Sequence, residues 1–251
     1  MRVGWLADDP GYKGGAELTQ QEFRDAAPEG VEVIDCPPGE VVPGLDRYVA
    51  HNVVQFRRPD FDRIGTVPIT WYHHDLSPYV DGEVRQWLHR FASHIFCSPL
   101  QRKKYGIDGG CIPPALDLDR YKPTRQINRH RKGACSIAGW RNPGKGAQQL
   151  HEWALDNEQV DVYGTGNFIP EGPALRYRGP LDYREVKSIL HRYATFVFLP
   201  TETEPFCRSV VEAWAAGCAL VTNGLVGGRW YIENDTEALE SAAEDFWEAV
   251  L

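Results

Sequence analysis

Two short apolar runs flanking a helix-like stretch near the end of the chain leave little choice of fold. Thr195-Phe196-Val197-Phe198-Leu199 is rich in aromatic and β-branched residues and is stopped by Pro200, the pattern of a strand buried on both faces. Val210, Val211, Trp214 and Ala215 then recur at helical spacing, and Gly217 is expected to close the helix as its C-cap. Ala219-Leu220-Val221-Thr222 is a second strand, so the segment reads as a β-loop-α-β unit of a parallel sheet. Open α/β sheets bind their ligands beyond the carboxyl ends of the strands. Glu204, in the loop after the first strand, is expected there. Glu212, eight positions on, falls about two helical turns into the helix, with its side chain leaning back toward the helix N-terminus. A Glu in a loop or a helix is usually solvated, so the pair draws its meaning from what surrounds it.

Earlier in the chain, Ser136 to Gly146 runs from an apolar strand end through a Gly/Pro turn that carries two cations, Arg141 and Lys145. Gly144-Lys145-Gly146 lacks the Ser or Thr that follows the lysine of a Walker loop. Between the cations and the carboxylates lie Val160-Asp161-Val162-Tyr163-Gly164-Thr165-Gly166 and Tyr177-Arg178-Gly179-Pro180-Leu181, then a helix over Tyr183–Leu190. A Gly-x-Gly pair alone marks only a turn.

Taken in order, these elements resemble the retaining, nucleotide-sugar-dependent glycosyltransferases of family 4. Glu204-Pro205-Phe206 and Glu212-Ala213-Trp214-Ala215-Ala216-Gly217 resemble that family's Glu-x7-Glu signature. Gly139 to Gly146 resembles its glycine-rich loop ending in Lys-Gly. The first half adds three weaker matches. Arg2 to Ala7 is a strand followed by the glycine pair Gly14-Gly15, which opens a helix. Val67 to Pro78 is a strand running into His73-His74-Asp75-Leu76-Ser77-Pro78, in which His74 matches the family's histidine. Cys111 to Pro123 resembles the segment that precedes its interdomain linker.

The resemblance implies an α/β protein of two Rossmann-like domains with parallel sheets facing across a cleft, the GT-B architecture. It implies a donor diphosphate on Arg141 and Lys145, the transferred sugar on Glu204 with His74, and the ribose on Glu212. Gly14, Gly15, Gly164, Pro205, Phe206 and Cys207 would line the donor. Loss of a sugar from a diphosphate builds charge on the leaving phosphate, and fixed cations there favour the transition state over the ground state. The expected reaction is transfer of a hexosyl or pentosyl group to an acceptor hydroxyl with retention, needing a nucleotide sugar and no metal cofactor. Two departures stand out: Cys207 replaces a glycine common beside the donor, and Trp230 replaces a Glu that usually follows the glycine pair.

Other readings stay open. Asp117-Leu118-Asp119 and Asp60-Phe61-Asp62 carry the Asp-x-Asp pattern by which single-domain, metal-dependent glycosyltransferases bind a divalent ion. A nucleotide-sugar epimerase or a non-catalytic nucleotide-sugar-binding protein would share the architecture. Adjacent His73 and His74 suggest a metal, but neighbours in a strand point to opposite faces and cannot grip one ion together.

At 251 residues the chain has room for two small domains. They are expected at 1–123 and 134–234, with a basic linker over 124–133 and an acidic amphipathic helix over 235–251 that packs back on the first domain. That helix would bury Leu239, Ala242, Ala243, Phe246, Trp247 and Val250. The last twenty residues hold seven carboxylates and no Lys or Arg, which accounts for nearly all of the net charge of −8. Local basic clusters remain at Arg57-Arg58, Arg102-Lys103-Lys104 and Arg125 to Lys132, so an anionic acceptor such as nucleic acid or a lipid headgroup is conceivable on charge. Six cysteines without Cys-x-x-Cys spacing argue for buried, reduced thiols and against zinc. No apolar run is long enough to span a bilayer and the first strand opens into Asp8-Asp9-Pro10, so a cytoplasmic location is expected.

Overall fold

Alternating apolar strands and amphipathic helices build two all-parallel sheets, one in each of two units. The computed structural model describes residues 1–8, 14–51, 53, 55–74, 91–124 and 131–251. Asp75 to Pro78 and the basic run 125–130 lie outside the described residues. The first unit comprises Met1–Leu116 with Asp235–Leu251, the second Asp117–Asn234.

In the first unit the elements run β1 (Arg2–Leu6), α1 (Gly15–Asp25), β2 (Glu32–Cys36), β3 (Arg47–Ala50), α2 (Arg58–Ile64), β4 (Ile69–His73), β5 (Phe91–Phe96), α3 (Pro99–Tyr105) and β6 (Gly110–Cys111). The sheet order is β2-β1-β3-β4-β5-β6. The strand order reverses between β1 and β3, which places the loops after those strands at the switch point. Local chemistry sets the helix starts. Ser98 Oγ accepts from Gln101 N ahead of Pro99, and Asp60 accepts from the backbone N–H groups of Arg57 and Gly39. Asp60 is therefore a buried cap and Asp62 pairs with Arg58, so the earlier Asp-x-Asp has a structural use.

The second unit opens with a 3-10 turn over Asp119–Tyr121 and continues through β7 (Ala134–Ile137), α4 (Ala147–Asp156), β8 (Val160–Tyr163), β9 (Leu175–Gly179), α5 (Tyr183–Leu190), β10 (Thr195–Phe198), α6 (Arg208–Ala215), β11 (Ala219–Thr222) and α7 (Gly227–Asn234). Its sheet order is β11-β10-β7-β8-β9. Both faces are apolar. Phe196 and Phe198 enter one core cluster with Ile137 and Val210, while Val197 enters the other with Val160, Val162 and Leu150. Covered on both sides, the sheet reads in sequence as continuous apolar runs. The 117–121 stretch, expected to end the first domain, packs here because Tyr121 is buried in the same cluster as Phe196 and Val210. Ala216 caps α6 and Gly217 follows it in the left-handed region with φ 80°, one residue later than the expected cap.

The chain then returns to the first unit. Helix α8 (Thr236–Val250) buries Leu239, Ala242, Phe246, Trp247 and Val250, with Ala243 only partly covered. Phe246 stacks on Phe23 of α1 at 4.1 Å between ring centroids, and Trp247 Nε1 donates to Phe23 O at 2.8 Å. All six cysteines are free thiols, four of them buried. No described helix is long and apolar enough to cross a membrane.

Candidate active site

Strand order in the second sheet reverses between β7 and β10, and the loops leaving their carboxyl ends carry the cations and the first carboxylate. Lys145 closes a 3-10 turn over Pro143–Lys145. Gly146 follows with φ 79°, and a Cβ there would lie 1.8 Å from Leu199 O, so only glycine lets this turn press against the end of β10. Thr201 N also donates to Gly144 O at 2.9 Å. The two loops are thereby stitched together, and Lys145 Nζ meets Glu204 Oε2 at 2.5 Å, with both side chains about four-fifths buried (23% and 18% exposed). The sequence separation of this pair is 59 residues.

Glu204 is not a loose loop residue. Its N–H donates to Leu225 O at 2.7 Å and its carbonyl accepts from Gly227 N at 2.9 Å, a parallel bridge with Val226. Gly228 N donates to Phe206 O at 2.7 Å. The Pro205-Phe206 turn is thus held by the start of α7, with Phe206 buried. Cys207 then caps α6 with φ 68° and ψ 83°, the one positive-φ residue other than glycine among the described residues. Such a conformation costs about 1–3 kcal/mol and persists only where its surroundings impose it. Here the imposing contacts are the bonds on Glu204 and Phe206. Burial, then the neighbouring Glu204 charge, push the Cys207 thiol up to about 12, so it stays protonated and is no nucleophile at neutral pH.

Arg141 lies exposed on the β7–α4 loop. Gly164 sits in the turn after β8 with φ 122°, where a Cβ would approach Ala138 O to 1.9 Å. Its packing against the β7–α4 loop suffices to require glycine, whatever its part in ligand binding. Glu212 is 3% exposed and forms an ion pair with Arg208, one turn earlier, at 3.6 Å. Arg208, which sequence reasoning did not single out, also donates to the Tyr183 hydroxyl, which in turn accepts from buried Tyr121.

In the first unit, Gly14 caps α1 and its N–H donates to Glu17 Oε2 at 2.7 Å, while Gly15 is exposed at the first helical turn. His74, half-buried at the end of β4, pairs through Nε2 with Nδ1 of His51, which follows β3. His73 points to the opposite face, stacks on Phe96 at 4.6 Å and pairs with His94 at 3.1 Å. The two histidines have opposite faces and different partners, as strand geometry requires. His51, sandwiched between Trp5 and Tyr72, gave no sequence signal of its own.

Two acidic or basic motifs resolve into local roles. Asp117 Oδ1 accepts from Arg120 N at 3.0 Å and Asp119 pairs with Lys122 at 2.5 Å. Among the described residues no three His, Cys, Asp or Glu side chains are placed to hold a metal ion. Arg131, counted in the linker cluster, is half-buried and its guanidinium donates to Ala216 O at the end of α6, where a cation complements the helix dipole. It is no part of an exposed patch, whereas Arg102, Lys103 and Lys104 are exposed at the end of α3.

No family model matches the sequence, and no curated protein is significantly similar to it. Solved structures do match. HepE of Anabaena, in complex with UDP, aligns over 100% of this chain and 95% of its own with TM-score 0.64 and 16% identity. AviGT4, a glycosyltransferase involved in avilamycin A biosynthesis, aligns over 99% and 91% with TM-score 0.68 and 16% identity. An α-glucosyltransferase in complex with UDP and a 13-mer DNA aligns over 98% and 90% with TM-score 0.60 and 12% identity. The fold is that of the GT-B glycosyltransferases. At such identities the likeness is one of architecture.

Proposed function

We propose that the chain is a retaining glycosyltransferase of the family 4 type, which moves a hexosyl or pentosyl group from a nucleotide-diphosphate donor to an acceptor hydroxyl. The observation that carries this is the Lys145–Glu204 contact at the switch point of the second sheet. It unites the two loops that the motifs single out, in a fold whose neighbours include HepE in complex with UDP and with UDP-glucose. The carboxylate beside the ammonium holds Lys145 in place. On this reading the donor diphosphate meets Lys145 and Arg141, the sugar hydroxyls meet Glu204, and the ribose meets Glu212. His74 is assigned to orient the sugar or the acceptor.

The bond from the anomeric carbon to the diphosphate breaks with its electron pair passing to phosphate oxygen. The acceptor oxygen forms its bond on the same face, and its proton passes to the leaving phosphate. Lys145 and Arg141 neutralise the charge that develops, a stabilisation that grows from the ground state to the transition state. The cations are the protein's own, so transfer is expected to persist in a chelator.

Incubation with a panel of nucleotide sugars, with and without candidate acceptors, reads released nucleoside diphosphate. Lys145→Ala and Glu204→Ala are each expected to lower the rate by about 10²–10³-fold, the scale of removing one charge-stabilising group, with the folded state retained. Full activity in either variant removes that residue from the mechanism.

A further inference from the structure

His51 follows β3 directly, is 3% exposed, and has no part in the transfer described above. Its ring is stacked between Trp5 at 4.6 Å and Tyr72 at 5.0 Å, with interplanar angles of 22° and 19°. Phe23 and Phe246 close in at 6.0 and 6.1 Å. Packed among four aromatic rings, the imidazole has a fixed orientation. Nδ1 faces His74 Nε2, while Nε2 is buried with no hydrogen-bond partner among the described residues.

A neutral imidazole carries one N–H donor and one lone pair. Burial, then the charges of His74 and Arg24, press the His51 pKa well below its ordinary value, so this ring is neutral at pH 7. The contact with His74 then has two possible directions. If His74 donates, His51 carries its only proton on Nε2, a buried N–H with no acceptor. If His51 donates through Nδ1, Nε2 keeps a bare lone pair and no donor is orphaned. Buried N–H groups without an acceptor are rarer than buried acceptors with capacity to spare, which selects the second arrangement.

We propose that His51 is a positioning residue that donates Nδ1–H to His74 Nε2 and thereby holds His74 in the form protonated on Nδ1. With Nε2 taken and Nδ1 protonated, His74 has no lone pair with which to accept a proton. It is then a donor that orients an oxygen of the sugar or the acceptor, and not the base that deprotonates the acceptor. This rests on the transfer reading above, in which that proton passes to the leaving phosphate.

The full chain, labelled with 15N-histidine and free of ligand, reports the proton position on each ring through long-range 1H–15N correlations. His51→Asn and His74→Asn assign the two rings by the loss of their signals. Both rings are expected to be protonated on Nδ1, and a wild-type His74 protonated on Nε2 overturns the proposal. Asn places an amide N–H where His51 has Nδ1, whereas Phe keeps the stack and has no donor. His51→Phe is expected to release His74 from the single Nδ1–H form and to lower kcat/KM for release of nucleoside diphosphate from a nucleotide sugar about tenfold, the size of one lost hydrogen bond. His51→Asn is expected to regain both. The positioning role falls if His51→Phe transfers as the wild type does, if it leaves His74 wholly in the Nδ1–H form, or if His51→Asn loses as much as His51→Phe. If no nucleotide sugar is turned over by the wild type, the transfer reading falls, and the spectrum alone still decides whether His51 sets the proton of His74.

Discussion

His51 and His73 are imidazoles taken out of water, and burial pushes the pKa of each well below its ordinary value, with His74 and Arg24 adding to the shift of His51 and His94 and His74 to that of His73. His94 is lowered by burial as well. In the unfolded chain these rings take up protons near pH 6.5, while the folded unit holds them neutral to lower pH. The unfolded state therefore binds more protons below about pH 6.5, and stability falls as pH falls through that window. The melting temperature is expected to decline between pH 7 and pH 5, above the range where carboxylates such as Asp161, lowered by its bonds with Arg176, Tyr193 and Arg178, begin to contribute. His73→Phe, which keeps the stack on Phe96, is expected to flatten that decline. A melting temperature flat from pH 7 to pH 5 in the wild type would show that these rings are charged or solvated in the fold.

At the scale of elements, the β7–α4 loop is the clearest case of sequence dictating a site. Gly146 stands at φ 79° with Leu199 O where its Cβ would be, whereas a Cβ on Gly139 of the same loop meets nothing within 4 Å. Gly146→Ala is expected to cost about 2–4 kcal/mol in denaturant unfolding and to weaken the Lys145–Glu204 contact, while Gly139→Ala changes stability by about 0.5 kcal/mol or less. Equal effects at the two positions would detach the glycine from the loop geometry. The same contrast explains what the sequence made legible. Strand, turn and helix around Lys145 and around Glu204 are marked by local signals: apolar runs, Gly-Pro turns and helical spacing. The pairing of those two residues was reachable only through motif order, and Arg208, Tyr183 and His51 were not reachable at all. Tyr121 and Tyr183 are 62 positions apart, and no periodicity reports that their hydroxyls meet. Spacing places Glu212 on a helix, but only packing tells that it is buried beside Arg208.

At the scale of the whole chain, the first unit is closed by the last helix. Residues 235–251 belong with 1–116, although the entire second unit intervenes in the chain. Trp247 Nε1 bonds to Phe23 O across 224 positions, and Phe246 packs against Phe23, Trp5 and Tyr72. His51, the partner of His74, lies 6.1 Å from the Phe246 ring, so α8 also backs this histidine pair. Closing the first core must wait for the C-terminal residues, and ordering so long a loop is a cost that only substantial apolar burial offsets. Trp247→Ala is expected to destabilise the protein by about 3–5 kcal/mol, the usual range for a buried tryptophan. A chain ended at Asn234 is expected to expose the aromatic surface of α1 and lose native-state amide protection in β1, β3 and β4, while β7, β8 and β10 stay protected. Hydrogen exchange read by mass spectrometry resolves those peptides separately. Undiminished protection of β1 and β3 in the shortened chain would show that the first unit closes its core without α8, and would reduce the acidic helix to a surface appendage.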